Sequence, residues 1–306
     1  MQTIELRQRF LNYFRKNNHK YLKPSNVFLE NDPSLFFVNA GMNQLKDVFL
    51  GVKPVGDYNK LMNSQICIRA GGKHNDFDDV GRDTYHLTCF EMLGNFNLDC
   101  QDKSTPIELA FNFLINECKL KKEQMYVTYF EGDSDIPEDL ETKEIWKRFV
   151  SEDKIVKGSP KDNFWAMGDT GPCGFCTEIH YDLIGNREVP HLVNKDDETV
   201  IEIWNIVFMQ FNKVDNQYIK LPKLFIDTGM GICRLSMILQ NKRSLYETDA
   251  FKYIMGCAQF LSGADFYTNS YLNNNKDMAY RIFADHMRTS TIAVFQGVDF
   301  DAHGRG

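Results

Sequence analysis

Two separated segments of the chain carry residue types suited to binding a nucleoside triphosphate. In the first, Arg69 precedes a polar loop, and Phe90 lies on the segment that returns from it. A guanidinium group can hold phosphate oxygens through paired hydrogen bonds, and an aromatic ring can stack on a base. The second segment, residues 229–234, reads GMGICR, so its glycines allow a close backbone approach and Arg234 supplies another positive charge. Together the segments predict the halves of one nucleotide-activating site.

Apolar periodicity and turn residues predict the elements that position these segments. Strands are expected at residues 35–38, 65–70, 85–93, 125–130, 198–211 and 223–227. Helices are expected from Thr3, as the capping residue, to about Lys16, and at residues 105–114, 142–149, 231–240, 251–261 and 278–295. A turn is expected at residues 31–33 and a glycine-rich loop lining the site at residues 173–176.

The order of these elements predicts an α+β fold. The polar loop at residues 71–83 joins two strands into an antiparallel hairpin, and a loop of that length is usually functional. The remaining helices and strands do not alternate as regular βαβ units. We therefore expect an antiparallel sheet flanked by helices, followed by a helical region.

The composition is that of an ordinary globular chain. Its 306 residues are 43% apolar and 25% charged, enough for one large domain and part of a second. The net charge of −7 argues against non-specific binding to nucleic acid, and no apolar run approaches the roughly 20 residues that span a bilayer. The eight scattered cysteines suit a reducing compartment. We expect a cytoplasmic protein with neither a DNA nor a membrane partner.

Longer stretches of the sequence resemble one family. Residues 69–76 (RAGGKHND), 167–174 (MGDTGPCG), 202–208 (EIWNIVF) and 227–231 (DTGMG) resemble the alanyl-tRNA synthetases. The Arg69 hairpin and the segment 229–234 are similar to motifs 2 and 3 of the class II aminoacyl-tRNA synthetases. The resemblance covers essentially the whole chain.

The resemblance implies a class II catalytic domain at residues 1–245 and the start of a helical tRNA-recognition domain at residues 246–306. It implies activation of L-alanine with ATP and Mg²⁺, then transfer to the 3′ end of tRNA-Ala through contacts with the acceptor stem. In the family the Gly-Arg-Gly sequence of residues 304–306 opens a further helix, so we expect the catalytic front of a longer protein, without its editing domain. Two alternatives stay open: a synthetase-like regulatory or binding module, and an enzyme that activates an amino acid for another carrier.

For the nucleotide, we assign Arg69 to the α-phosphate and the substrate carboxylate, because its planar fork suits two anionic oxygens. Arg234 is expected over the adenine or at the γ-phosphate, with Phe90 stacking on the other face of the base. The other residues expected to bind ATP are His86, Met92 and Gly231. Taken singly and without the resemblance, the arginines are more readily read as surface ion-pair residues and Phe90 as a core residue.

For the amino acid, Trp165 and Val207 are expected to wall a small side-chain pocket, with Gly229 beside them. Asp227 precedes the predicted glycine turn, where a carboxylate would pair with the substrate ammonium or, alternatively, cap the turn. Such a pocket excludes larger side chains by contact. It rejects glycine by only about 1–3 kcal/mol and discriminates poorly against serine.

Metal ligands are weakly indicated. Glu202 is the candidate carboxylate for the Mg²⁺ that ATP brings. Cys173 and Cys176 resemble half of a zinc knuckle, but no second pair follows and only His180 lies near, so no structural zinc is expected. Lys73, in the polar loop, is expected to meet pyrophosphate or the tRNA end, whereas its composition alone favours a solvated loop tip.

The chain departs from the family pattern at several positions. Leu87 stands where the family usually has a second histidine, and Cys89 and Cys233 stand where it often has phenylalanine and glutamate. Leu87 predicts an altered or attenuated site. Ala302 replaces an asparagine that reads a G·U pair in the acceptor stem, and alanine cannot make that hydrogen bond. We therefore expect recognition of the tRNA to depart from the usual route.

Overall fold

A computed structural model describes residues 1–28, 35–71, 74–134, 136–168, 170–215, 217–270 and 274–300. Four features that the sequence singles out lie outside the described residues: the turn at residues 31–33, Lys73, Ala302, and the Gly-Arg-Gly sequence at residues 304–306.

The described strands form one mixed, mostly antiparallel sheet. They are β1 (Lys20–Tyr21), β2 (Lys60–Ile68), β3 (Cys89–Cys100), β4 (Met125–Phe130), β5 (Ile155–Gly158), β6 (Phe164–Ala166), β7 (Gly171–Asp182), β8 (Val200–Val214) and β9 (Gln217–Gly231). Their order is β1-β2-β3-β9-β8-β7-β4-β5, with β6 paired to β7. Only β1 with β2 and β4 with β5 pair in parallel among these strands. The predicted α+β class with an antiparallel sheet is confirmed.

The described helices surround this sheet. They are α1 (Thr3–Lys16), α2 (Lys46–Phe49), α3 (Ser104–Asn112), α4 (Leu140–Trp146), α5 (Pro160–Asn163), α6 (Ile232–Leu239), α7 (Lys252–Ser262) and α8 (Asn275–Phe295). Among them, none combines the length and the apolar composition that crossing a membrane requires.

One face of the sheet is buried under α1. Phe10 and Phe14, one helical turn apart, are fully buried and lie 5.9 and 6.3 Å from the ring of Trp204 in β8. Thr3 does not cap this helix as predicted, because the capping position is Gln2. Instead, the backbone N–H and hydroxyl of Thr3 donate to the carboxylate of Asp249 at 2.9 and 2.6 Å, which fixes the start of α1.

The opposite face of the sheet carries the side chains of the site. Val207 pairs with Asp227 across β8 and β9, and Asn205 pairs with Gly229 two residues away. Residues two apart on a strand point to the same face, whereas Trp204 points to the helix side. The register therefore places Val207, Asp227 and Gly229, three of the predicted alanine-binding residues, next to one another on this face.

Helix α8 packs on the segment that precedes β3. Arg281 is only 2% exposed, and its Nε donates to the carbonyl of Gly81 at 2.8 Å. The buried carboxylate of Asp285 accepts the backbone N–H of Thr88 at 3.0 Å. The late helices thus hold the end of the long loop that begins at Gly71.

Several predicted elements are wrong in extent or type. Residues 35–38 form no strand, because only an isolated bridge joins Phe37 to Phe28. The returning strand begins at Cys89 instead of residue 85, since Asp83 accepts the backbone N–H groups of Tyr85 and His86 and turns the chain there.

The predicted glycine-rich loop at residues 173–176 is part of the buried strand β7. A side chain at Gly174 would place its Cβ 1.9 Å from the carbonyl oxygen of Phe208, so glycine is required for the close approach of β8. The glycine turn after Asp227 is likewise wrong. Gly229 lies within β9, where a Cβ would meet the sulfur of Met92 at 2.8 Å.

Candidate active site

A cavity of about 600 Å³ lies against the start of β3, the end of β9 and the first half of β8. It collects the predicted site residues within the described part of the chain: Arg69, His86, Phe90, Met92, Trp165, Glu202, Val207, Asp227, Gly229, Gly231 and Arg234. These residues come from sequence positions as far apart as 69 and 234, so the sheet brings the two halves of the predicted site into one pocket. We call this cavity the central pocket.

Arg69 directly follows β2, and Phe90 lies on the adjacent β3. The Arg69 Cζ atom is 5.1 Å from the centre of the Phe90 ring, and Nε donates to the carbonyl of Asn39 at 3.1 Å. No hydrogen bond from its two terminal nitrogens to another described residue is present. Arg69 is therefore oriented by its inner nitrogen and keeps the outer two for an anion.

Arg234 is held from two sides at the start of α6. Its Nη1 donates to the backbone carbonyl of Glu202 at 3.0 Å and to the Glu202 carboxylate at 3.2 Å. The ring of Tyr85 lies below the guanidinium, 5.3 Å from its Cζ atom. Sequence reasoning proposed Glu202 only as a metal ligand and did not single out Tyr85. Glu202 orients Arg234, an arrangement that becomes visible only when β8 and α6 are brought together.

His86 is fixed by a local carboxylate. The Asp83 side chain pairs with the His86 ring through Nδ1 and accepts the His86 backbone N–H at 2.9 Å. Burial would raise the pKa of Asp83, but the hydrogen bonds from His86 and Tyr85 bring it below its usual value. Leu87, the departure noted above, is buried and also lines the central pocket.

Asp227 is the most unusual charge of the pocket. It lies within β9, is 5% exposed, and its Oδ1 has no hydrogen-bond partner among the described residues. Burial raises the pKa of this carboxyl group to about 7. The alternative that Asp227 caps a turn is wrong, because the strand continues to Gly231. A buried, unpaired carboxylate at a pocket wall is suited to a cationic ligand.

The walls beside Asp227 are apolar. Val207 is buried directly opposite it on β8, and Trp165 on β6 lines the same cavity. The imidazole of His74 stacks on Trp165, with ring centres 5.7 Å apart and planes 13° apart. The space next to Asp227 is therefore bounded by aliphatic and aromatic surfaces, which suits a short apolar side chain.

Sequence reasoning missed three polar residues of the pocket floor. Asn205 lies two residues before Val207 on the same face, and its Oδ1 lacks a partner among the described residues. Glu178 accepts from Asn194 at 2.9 Å and from the His180 ring at 3.2 Å, and burial raises its pKa. Strand periodicity in residues 202–208 could have indicated Asn205. Nothing local indicated Asn194, which reaches the pocket from the irregular segment before β8.

Metal binding is tested by the same geometry. Within the described ranges, no group of three or more His, Cys, Asp or Glu side chains is arranged to hold a metal ion. Cys173 and Cys176 are buried in β7, and the Cys176 thiol donates to the carbonyl of Asp162. Glu202 and Glu178 nonetheless offer oxygen atoms at the central pocket, the type of ligand that Mg²⁺ prefers.

The pocket combines two oriented arginines with one unpaired carboxylate. Fixed positive groups stabilise the charge that builds up during displacement at a phosphorus atom. A carboxylate on the other side can hold an ammonium group. The arrangement is therefore suited to joining the carboxylate of an amino acid to a nucleoside triphosphate.

The sequence matches the model of a known family over nearly its full length. Residues 5–306 match the family described as tRNA synthetases class II (A). The chain belongs to this family of class II tRNA synthetases. The match confirms the resemblance inferred from the motifs and the class II fold that it implied.

Curated relatives carry a more specific name. The alanine–tRNA ligase of Schizosaccharomyces pombe is 50% identical over 313 residues, covering 99% of this chain and 33% of the relative. The cytoplasmic alanine–tRNA ligase of Bombyx mori is 49% identical, covering 100% and 33%. The mitochondrial alanine–tRNA ligase of Saccharomyces cerevisiae is 47% identical, covering 99% and 32%. The chain thus spans about one third of the length of these relatives.

Proposed function

We propose that this chain activates L-alanine with ATP, forming alanyl-adenylate and pyrophosphate, and transfers the alanyl group to the 3′ end of tRNA-Ala. In the first step, an alanine carboxylate oxygen bonds to the α-phosphorus as the bond to pyrophosphate breaks. In the second, a terminal ribose hydroxyl attacks the alanyl carbonyl and AMP leaves. The observation that carries the proposal is the unpaired, buried Asp227, which shares a small-walled pocket with two oriented arginines.

The nucleotide would bind on the β3 side of the central pocket. Arg69 would contact the α-phosphate and the alanine carboxylate through its terminal nitrogens, which lack partners among the described residues. Arg234 would cover the adenine or reach the γ-phosphate, while Phe90 stacks on the base. The same pocket is lined by His86, Met92 and Gly231, which supports their assignment to the ATP site.

Alanine would bind between β8 and β9. Its ammonium would pair with Asp227, and its methyl group would occupy the space between Val207 and Trp165. Gly229 lies on the same face of β9 as Asp227, and the sulfur of Met92 fills the space that a side chain at position 229 would occupy. Relatives named as alanine–tRNA ligases, at 47–50% identity over this whole region, support alanine as the substrate.

Magnesium would arrive with ATP and offset the charge of the phosphates. Glu202 remains the candidate ligand, although its carboxylate also holds Arg234. Lys73, outside the described residues, is proposed to meet pyrophosphate or the tRNA end.

The domain division and the partners are part of the same proposal. Residues 1–245 would form the catalytic domain, and residues 246–306 would begin the helical domain that receives the acceptor stem of tRNA-Ala. The packing of α7 and α8 beside each other supports a helical unit after residue 245. We propose that the protein acts in the cytoplasm, as one relative's name states for that protein.

Alanine-dependent exchange of radioactive pyrophosphate into ATP tests this function directly. The expected result is exchange with alanine and none without an amino acid. Binding of ATP and alanine without exchange would favour the regulatory or binding module. Adenylate formation without transfer to tRNA-Ala, in a chain extended to the length of the relatives, would favour a carrier other than tRNA.

A further inference from the structure

A histidine from the long loop crosses the central pocket to reach β6. His74 lies five residues after Arg69, yet its ring stacks on Trp165 with centres 5.7 Å apart. Its Nε2 atom also lies 3.1 Å from the carbonyl oxygen of Ala166, the residue that follows Trp165. The imidazole therefore contacts β6 in two ways, by stacking on Trp165 and by a polar contact with the Ala166 carbonyl.

The indole of Trp165 also has apolar neighbours. It is half-buried and packs against the apolar cluster that contains Met167, Cys176 and Val207. Its backbone pairs with Gly174, a residue without a side chain that could restrain the indole. His74 stacks on one face of the indole, so this contact contributes to fixing the position of Trp165.

We infer that His74 is a positioning residue that sets the width of the amino-acid side-chain pocket by clamping Trp165 toward the Val207 wall. The inference rests on the proposed function, since it concerns which amino acid the pocket accepts. In this role His74 acts through Trp165. His74 belongs to the same loop as Arg69, so one loop contributes to both the phosphate side and the amino-acid wall of the pocket.

The kinetic consequence is a loss of discrimination. An aromatic stacking contact can shift the equilibrium between two side-chain positions by a factor of up to about ten. In His74→Ala, the preference for alanine over 2-aminobutyrate, which is longer by one methylene, should fall by up to about tenfold in pyrophosphate exchange. The KM for alanine should rise, whereas the KM for ATP should change less.

Two further variants separate the contacts. His74→Phe keeps an aromatic face but loses the hydrogen bond to Ala166, and it should retain most of the discrimination. His74→Asn keeps a donor but loses the ring, and it should behave like His74→Ala. The matched control is His191→Ala, an exposed histidine that does not line the central pocket.

Tryptophan fluorescence tests the clamp without any activity. The chain has three tryptophans, and Trp146 and Trp204 are fully buried, so quenching by acrylamide reports on Trp165. Quenching should increase in His74→Ala and His74→Asn and stay near the parent value in His74→Phe. In Trp165→Phe, the fraction of the fluorescence that acrylamide can quench should disappear.

The outcomes separate the two proposals. Absence of alanine-dependent exchange in the parent chain would overturn the proposed function, while the quenching result would still decide whether His74 positions Trp165. Unchanged quenching in His74→Ala would overturn the clamp. Increased quenching with unchanged discrimination, or a rise confined to the KM for ATP, would overturn its role in specificity.

Discussion

The two halves of the central pocket differ in how their charges are held. In the proposed nucleotide half, Arg234 is paired with Glu202 and the His86 ring with Asp83. In the proposed amino-acid half, Oδ1 of Asp227 and Oδ1 of Asn205 lack partners among the described residues. Apart from the terminal nitrogens of Arg69, the first half is oriented by protein partners before a ligand arrives, whereas the buried carboxyl group of the second half carries a desolvation cost that a cationic ligand would relieve. Under the proposed function, binding of the ammonium would offset a desolvation cost that Asp227 imposes on the free protein.

The largest effect is expected from Arg69, which we place at the reacting phosphorus. Arg69→Ala should lower the rate of alanine-dependent pyrophosphate exchange by roughly 10²–10³-fold, because a fixed positive group is lost from the transition state. Arg15→Ala, which removes an exposed arginine of α1, should leave the exchange rate unchanged. A small loss in Arg69→Ala would show that Arg69 only supports Phe90 and would remove the nucleotide half from the comparison.

The next largest effect is expected from a substitution of Asp227, and it should be confined to the KM for alanine. Asp227→Asn replaces a charge-assisted bond by a neutral one, so the KM for alanine should rise about 10–100-fold. The KM for ATP should stay within about twofold in the same exchange assay. An equal rise for both substrates would identify Asp227 as a residue of the pocket scaffold and would contradict its pairing with the ammonium.

The site residues could be predicted from the sequence better than their surroundings. Arg69 directly follows β2, Asp227 lies on β9, and Arg234 lies in the first turn of α6. Each belongs to a short sequence motif, so local sequence was informative. Strand β7 was missed because glycine, proline and cysteine dominate residues 171–176, and these types usually indicate a loop.

Long-range partners could not be predicted at all. Tyr85 reaches Arg234 across about 150 positions of sequence, and Asn194 reaches Glu178 from an irregular loop. The docking of Arg281 on Gly81 likewise depends on tertiary packing alone. Such contacts follow from the assembled sheet and leave no periodic signal in the chain.

The buried carboxyl group of Asp227 should make the free energy of unfolding depend on pH. Its pKa is raised from the ordinary value of 3.8 to about 7 by burial, so the folded state binds a proton that the unfolded state releases. The stabilising effect of this proton is fully present below about pH 4 and is lost as the pH rises through about 7. The loss is at most about 4 kcal/mol.

Urea unfolding at pH 5, 6, 7 and 8 measures this dependence. Asp227→Asn lacks the titrating group, so its stability relative to the parent chain should increase across this range and level off above pH 7. Alanine should reduce the difference at pH 8, because it supplies the missing cation. A constant difference between variant and parent at every pH would show that Asp227 is already paired in the free protein.

The smallest effect is expected at Glu202, which holds Arg234 in a partly exposed pair with side chains 21% and 35% exposed. Exposed ion pairs contribute little, so Glu202→Gln should raise the KM for ATP by no more than about fivefold and leave the KM for alanine nearly unchanged. Glu5→Gln, which weakens the exposed pair with Arg9 on α1, is the matched control. A loss of activity beyond about 100-fold that is partly restored by high Mg²⁺ would instead identify Glu202 as a metal ligand. In that case both halves would contain a carboxylate that binds a cationic ligand, and the contrast in how their charges are held would disappear.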